Sequence, residues 1–251
     1  MPTDLAALTA GLRGLGPVRV WSLMVSLFGD LARGEGEAID GPVLSAIMSA
    51  LDVRPEAVRV ALHRLRNDGW IASDKHGRIG RHRLTAQGRA ESAAASPRIY
   101  ARPADMPRDW QLAILPHDDD LPGHAPLLPR VWCGPRAAPV LGDALVLAGG
   151  AAPDWLRATL MPGERAADYA ALDAALAALE PHLPPPAELS AVDTAALRCL
   201  VVHNWRRLVL RHPALPRALL PPDAPMVRCH ARVDALLARY DRPDPAALSS
   251  R

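Results

Sequence analysis

Apolar residues recur at helical spacing in three successive stretches before residue 70, and the period then shortens toward two. Trp21, Met24, Phe28 and Leu31 form the first row after Pro17, and Arg33-Gly34-Glu35-Gly36 closes it as a loop. Leu44, Ile47, Met48 and Leu51 mark a second amphipathic helix that begins near Gly41-Pro42. Only Asp52-Val53-Arg54 separate it from a third, expected over residues 55–67. There Pro55 suits the first helical position, and Asn67-Asp68-Gly69 supplies a residue able to turn left-handed just past the end. On a helical projection Val58, Ala61, Leu62 and Leu65 share one face, with Glu56, Arg59, Val60 and His63 opposite and Arg64 and Arg66 on the flanks. Trp70 and Ile71 have strand character, residues 74–77 have turn chemistry, and residues 78–85 return as a second strand. In that strand Arg81 and Arg83 project to one face, His82 and Leu84 to the other. Two supporting helices, a tight turn, a third helix, a glycine stop and a basic hairpin follow the order of a winged helix-turn-helix, expected over residues 1–96.

Charge sharpens this reading. Residues 54–89 hold nine Lys or Arg against three Asp or Glu, a local net of +6 in a chain of net +2. Residues 97–251 hold seventeen of each, so the excess is concentrated where a polyanion would meet the third helix and the hairpin. A charged helix face is more often merely solvated, and this chain favours Arg over Lys throughout. The ordered spacing of elements, more than the charge, points to DNA.

Beyond the hairpin the pattern changes. Residues 89–97 are rich in Ala, with Ser92 and Ser96, and read as a link between folded units. Short apolar runs at residues 110–115 and 141–147, set among Pro and Gly, read as strands and loops. Leu172, Leu176, Leu179 and Leu183 continue one helical face until Pro184, Pro185 and Pro186 stop it, and a longer helix is expected over residues 190–211. Its apolar face holds Leu197, Leu200, Val201, Trp205 and Leu208, with Asn204 in the middle. That amide requires partners. Either it bonds to a neighbouring backbone or across a dimer contact, or it faces an effector pocket together with His203 and Arg207.

Several motifs together resemble the PaaX-like transcriptional regulators of phenylacetate catabolism. They are Arg19-x-Trp21 with Leu27-Phe28-Gly29-Asp30, then Val58-Arg59-x-Ala61-Leu62-x-Arg64-Leu65-x-x-Asp68-Gly69-Trp70, then Gly80-Arg81-x-x-Leu84-Thr85. The C-terminal part adds Leu200-Val201-Val202-His203-Asn204-Trp205-Arg206-Arg207, Pro213-Ala214-Leu215-Pro216 and Leu219-Leu220-Pro221. The chain departs from the family at His82, where Tyr is usual, at His212 for Asp, and at Ala224-Pro225-Met226 for Trp-Pro-Gly. The resemblance implies an α+β fold: the winged helix-turn-helix at 1–96, a small ferredoxin-like domain similar to the Cas2 nucleases at 97–167, and a helical domain at 168–251. Val131-Trp132-Cys133-Gly134 takes the place of a Gly-Phe-Gly-like turn, and the middle region matches the family least.

The resemblance further implies a homodimeric repressor on a palindromic site in double-stranded DNA, released by an aryl-CoA thioester, phenylacetyl-CoA in the family. In that reading Arg59, His63 and Arg66, helped by Val60, meet base edges in the major groove. Lys75, Arg78, Arg81 and Arg83 grip phosphate or the minor groove, and Arg54 a phosphate. His203, Asn204, Arg206 and Arg207 are the candidate effector residues, with Arg211 a further candidate for CoA phosphates.

Other chemistry is weakly signalled. Cys133, Cys199 and Cys229 show no CxxC spacing, which fits a reducing cytoplasm. Cys199 and His203 with Cys229-His230 lack the tight paired spacing of structural zinc sites, and no metal or cofactor is expected. Residues 117–120, His-Asp-Asp-Asp, with His124 form the best enzyme clue: a carboxylate loop for Mg²⁺ or Mn²⁺ and phosphodiester hydrolysis, the alternative function. No general base or second ligand segment accompanies it, so an enzyme is not expected. The stretch from residue 20 to 28 is periodic rather than a continuous signal-peptide core, and no run is long enough to span a membrane, so a cytoplasmic protein is expected.

Overall fold

The computed structural model of the protein describes residues 5–16 and 19–248; Pro17 lies outside them. Two short helices, α1 (Leu5–Leu8) and α2 (Ala10–Arg13), precede α3 (Val20–Leu31), β1 (Ile39–Asp40), α4 (Gly41–Ala50), α5 (Pro55–Asn67), β2 (Ile71–His76) and β3 (Ile79–Leu84). The third helix has the bounds its proline and glycine announce. In α3 every residue from Leu23 to Phe28 is buried, as are Asp30 and Leu31, so the helix is packed on more than one side rather than along a single stripe. The hairpin gains a third strand that the sequence reading did not include: Ile39 pairs with His82 and Asp40 with Arg81, giving an antiparallel sheet in the order β1-β3-β2.

The expected link at residues 89–97 is instead the interior of α6 (Ala86–Ile99). Ala is the strongest helix former, and Thr85 caps the start by accepting the Gly88 N–H at 3.0 Å. A boundary at residues 96 and 97 therefore falls inside a helix, one turn before its end.

The middle region folds as a four-stranded antiparallel sheet of β4 (Trp110–Ile114), β5 (Ala125–Leu128), β6 (Val131–Pro135) and β7 (Leu145–Ala148), in the order β5-β6-β4-β7. This departs from the ferredoxin-like expectation. Among the described residues no helix lies between β4 and β7, and β4 runs antiparallel to β6, whereas a ferredoxin-like sheet has its two central strands parallel. The connections at 115–124 and 136–144 contain Pro116, Pro122, Gly123, Pro139 and Gly142, which suit turns rather than helix. Val131, Trp132, Cys133 and Gly134 lie within β6, not in a turn.

The C-terminal part contains α7 (Asp154–Leu160), α8 (Gly163–Leu179), α9 (Ala191–Val209), α10 (Pro225–Arg239) and α11 (Pro245–Leu248). α8 begins before residue 168, the boundary expected from its leucine row. Ser190 caps α9, its Oγ accepting the Asp193 N–H at 3.0 Å. α9 is not one-sided. Every residue from Ala195 to Trp205 is buried, because α3, α6, α8 and α10 all pack on it.

Burial on every side forces the polar residues of α9 to find partners. Arg198 meets Asp30 of α3 through two hydrogen bonds, Nε to Oδ2 at 2.9 Å and Nη2 to Oδ1 at 2.8 Å, and its Nη1 donates to the carbonyls of Leu237 and Tyr240. The Tyr100 hydroxyl, just past α6, donates to the same Asp30 at 2.9 Å. The acid of the Phe28-Gly29-Asp30 motif thus ties the first helices, the end of α6 and the C-terminal helices together.

Candidate nucleic-acid interface

α5 is held at both ends, and this sets which side chains face outward. At its start Asp52 takes a left-handed conformation (φ 59°), which lets its N–H reach the Ser49 carbonyl at 2.9 Å and the Val53 N–H reach that of Met48 at 3.0 Å. Asp52 does here what glycine usually does, and it also pairs with Arg13 at 2.9 Å. At its end Gly69 (φ 71°) closes a Schellman turn, with Gly69 N–H to Arg66 O at 3.1 Å and Trp70 N–H to Leu65 O at 2.9 Å. Val58, Ala61 and Leu65 consequently point into the core.

The opposite face is open. Arg59 is 73% exposed in its side chain and Val60 71% exposed, with His63, Arg66 and Asn67 beside them. Asn67, not singled out in the sequence, sits four residues from His63 and bonds to its Nδ1 at 3.3 Å. Arg64 is turned back onto the protein: its guanidinium lies 4.5 Å above the Trp21 ring, and its Nε meets Asp68 at 3.4 Å.

The hairpin turn is tighter than residues 74–77 suggested. Asp74 and Lys75 are paired in the ladder with Arg81 and Gly80, and the chain reverses at Gly77 (φ 62°) and Arg78. His82 and Leu84 face inward; His82 Nδ1 lies 2.8 Å from Ser73 Oγ. Burial, then the Arg66 charge, pulls the His82 pKa below its ordinary value, with Asp40 opposing. Arg81 and Arg83 face outward, paired with Asp40 and Asp74, and Arg59 pairs with Glu56. Arg54, Arg66, Lys75 and Arg78 make no ion pair among the described residues. Exposed pairs of this kind contribute about 0–1 kcal/mol each, so a phosphate can displace the carboxylates at little cost.

The candidate effector residues divide. His203 is 1% exposed, with Nδ1 3.2 Å from Ser26 Oγ and Nε2 without a partner. Burial, then Arg206 and Arg207, pushes its pKa down to about 4, opposed by the backbone carbonyl of Ser22, which accepts from the ring. Arg207 lines a basic cleft of about 320 Å³ with Arg19, His203 and Arg211, and Arg211 pairs with Asp168 at 3.2 Å. Asn204 is held in packing, donating to the carbonyls of Leu12 at 3.2 Å and Leu200 at 3.0 Å. Arg206 points to Ser22, 2.9 Å from its Oγ.

The acidic loop is exposed at residues 117–120, whereas His124 is buried against Gln111 at 3.3 Å. Cys199 lies against the Leu23 carbonyl, and His230 bonds to that of Ala101 at 2.7 Å. Among the described residues no three His, Cys, Asp or Glu come together as a metal-holding group. No helix among them is long and apolar enough to cross a membrane.

Comparison with known proteins agrees with the two ends of the chain. A family model described as "PaaX-like protein" matches residues 19–88, and one described as "PaaX-like protein C-terminal domain" matches residues 163–244. The chain is 27% identical over 267 residues to the transcriptional repressor PaaX of Escherichia coli (strain K12), covering 93% of this chain and 83% of that one. Among solved structures it is similar to uncharacterized protein Rv0674 from Mycobacterium tuberculosis, at 18% identity and a TM-score of 0.47, over 83% of this chain and 90% of that one.

Proposed function

We propose that this chain, which belongs to the PaaX-like proteins and is a transcriptional regulator, represses by binding a palindromic operator in the cytoplasm as a homodimer through a winged helix-turn-helix. The observation that carries the reading is the open face of α5, where Arg59, Val60, His63 and Arg66 stand together beside a hairpin armed on its outer side. Arg can bridge guanine O6 and N7, and Val can touch a thymine methyl, so these four are assigned to base edges. Arg54, Lys75, Arg78, Arg81 and Arg83 are assigned to the backbone or the minor groove. For the second copy we assign the edge strand β7, whose Leu145, Val146 and Leu147 are exposed beside an exposed Leu141. Half-sites then fall about one or two turns of DNA apart.

An aryl-CoA thioester is the proposed releasing effector, with the basic cleft of Arg19, Arg207 and Arg211 offered to its phosphates. It acts only by preferring a conformation in which the two α5 helices no longer match the operator. The nuclease alternative is not favoured, since the relative is a repressor and the inward His124 is separated from the solvated aspartates.

Selection of bound sequences from a random DNA library tests the reading. One palindromic motif is expected, and recovery of no motif contradicts it. On that motif Arg59→Ala or His63→Ala is expected to cost about 1–3 kcal/mol, with little loss on random DNA. Equal losses on both refute base reading. Lys75→Ala with Arg78→Ala is expected to weaken every sequence alike and to reduce the slope of log affinity against log salt by about 2, about one per phosphate contact. An unchanged slope removes the hairpin tip from the interface.

A further inference from the structure

A separate cavity of about 290 Å³ lies between the end of α6, the start of α8, the end of α9 and α10. Its aromatic wall is built from three side chains. Trp205 stacks on His230 with ring centres 5.0 Å apart and planes at 22°, and Tyr169 meets Trp205 edge-on at 6.0 Å. Met106, Met161 and Met226 add unbranched thioethers that adapt to a flat guest.

Two guanidiniums border this apolar space, and neither has a carboxylate partner among the described residues. Arg98 spends Nη2 on the carbonyls of Val209 and His212, and Arg165 spends Nη1 on that of Leu160 at 2.6 Å. Among the described residues Nη1 of Arg98 and Nη2 of Arg165 make no hydrogen bond, and the Nε of each is buried without a partner. His230, 5% exposed, likewise has an unpartnered buried Nδ1. The Nε and Nδ1 atoms are closed to the cavity, so what its lining offers an anion is Nη1 of Arg98 and Nη2 of Arg165. The carboxylate on the lining, Asp105, is exposed at the rim.

We propose that this cavity binds a compact aromatic monocarboxylate, its ring among Met106, Met161 and Met226 in front of the buried Trp205 and Tyr169 and its carboxylate on Arg98 and Arg165. A planar guanidinium and a carboxylate match in a paired geometry, and the ring replaces water on an apolar wall. None of Arg19, Arg207 and Arg211 lines this cavity. The site is thus distinct from the basic cleft at Arg207, and the proposal stands whether or not a thioester binds there.

Titration calorimetry on the full chain with benzoate, phenylacetate and the isosteric uncharged phenylacetamide tests this. At least one acid is expected to bind at least tenfold more tightly than the amide, and Arg165→Met, its fold checked by its melting curve, is expected to lose at least tenfold for that acid while leaving the amide unchanged. No heat from either acid at millimolar concentration, or equal affinity for acid and amide, overturns the proposal. Acid binding that Arg165→Met leaves intact places the ligand elsewhere and overturns it as well.

Discussion

Asp30→Ala is expected to destabilise the protein by about 3–5 kcal/mol, more than any substitution on the exposed face of α5. The loss comes from what remains. Arg198 stays buried with its charge, and two carbonyls cannot neutralise it. The Tyr100 hydroxyl loses its acceptor as well, and that hydroxyl is held protonated chiefly by burial and then by Asp30. An ion pair of this kind is not thereby a large net stabiliser, because removing two charges from water offsets most of its attraction. Replacing both partners by apolar residues, Asp30→Leu with Arg198→Met, is accordingly expected to recover most of the loss. Urea melts of both variants check this. A cost below about 1 kcal/mol for Asp30→Ala, or a double variant as weak as the single one, contradicts the account.

The network also changes how the chain divides. Asp30 belongs to the unit that carries α5, Tyr100 follows α6, and Arg198 lies in α9, so that unit is bolted to the C-terminal helices rather than hung on a linker.

What the sequence revealed follows from range. The bounds of α5 were legible because Pro55 and Gly69 act locally, and the inward pair His82 and Leu84 because strand alternation is local. α6 was misread because alanine serves linkers and helices alike, and only the cap at Thr85 and contacts with α3 and α9 decide between them. β1 has two residues, too few for any period, and exists only by pairing with β3. In the middle region short apolar runs were visible, but their order in the sheet and the absence of helices between them depend on long-range pairing. Asn204 has one local partner, the Leu200 carbonyl one turn back, but its other partner at Leu12 and that of His203 at Ser26 lie 192 and 177 residues away, so no window of sequence could show them. The aromatic cavity draws on five separate segments and left no local motif.

His203 makes the second large prediction, that the folded protein weakens in mild acid. Its imidazole is buried beside Arg206 and Arg207, and its folded pKa is about 4 against an ordinary 6.5. Above pH 6.5 both folded and unfolded chains carry it neutral, and its contribution to stability is fully present. As the pH falls from 6.5 to about 4 the unfolded chain takes up a proton that the folded chain refuses, and the contribution is lost; below that the loss stops. The full displacement corresponds to about 3 kcal/mol. His203→Gln, which cannot titrate and can still bond to Ser26, is expected to show a fall in stability between pH 7 and pH 4 smaller by about that amount than the unsubstituted protein. Carboxylates that titrate in the same range act equally in both proteins, so the difference between their pH profiles isolates the imidazole. His212 has its pKa lowered to about 4 by burial and then by Arg165 and Arg211, but it is partly open to solvent, and His212→Gln is expected to change the profile less. Urea midpoints across this pH range measure both, and profiles that coincide for His203→Gln and the unsubstituted protein would show that the ring takes its proton without cost to the fold.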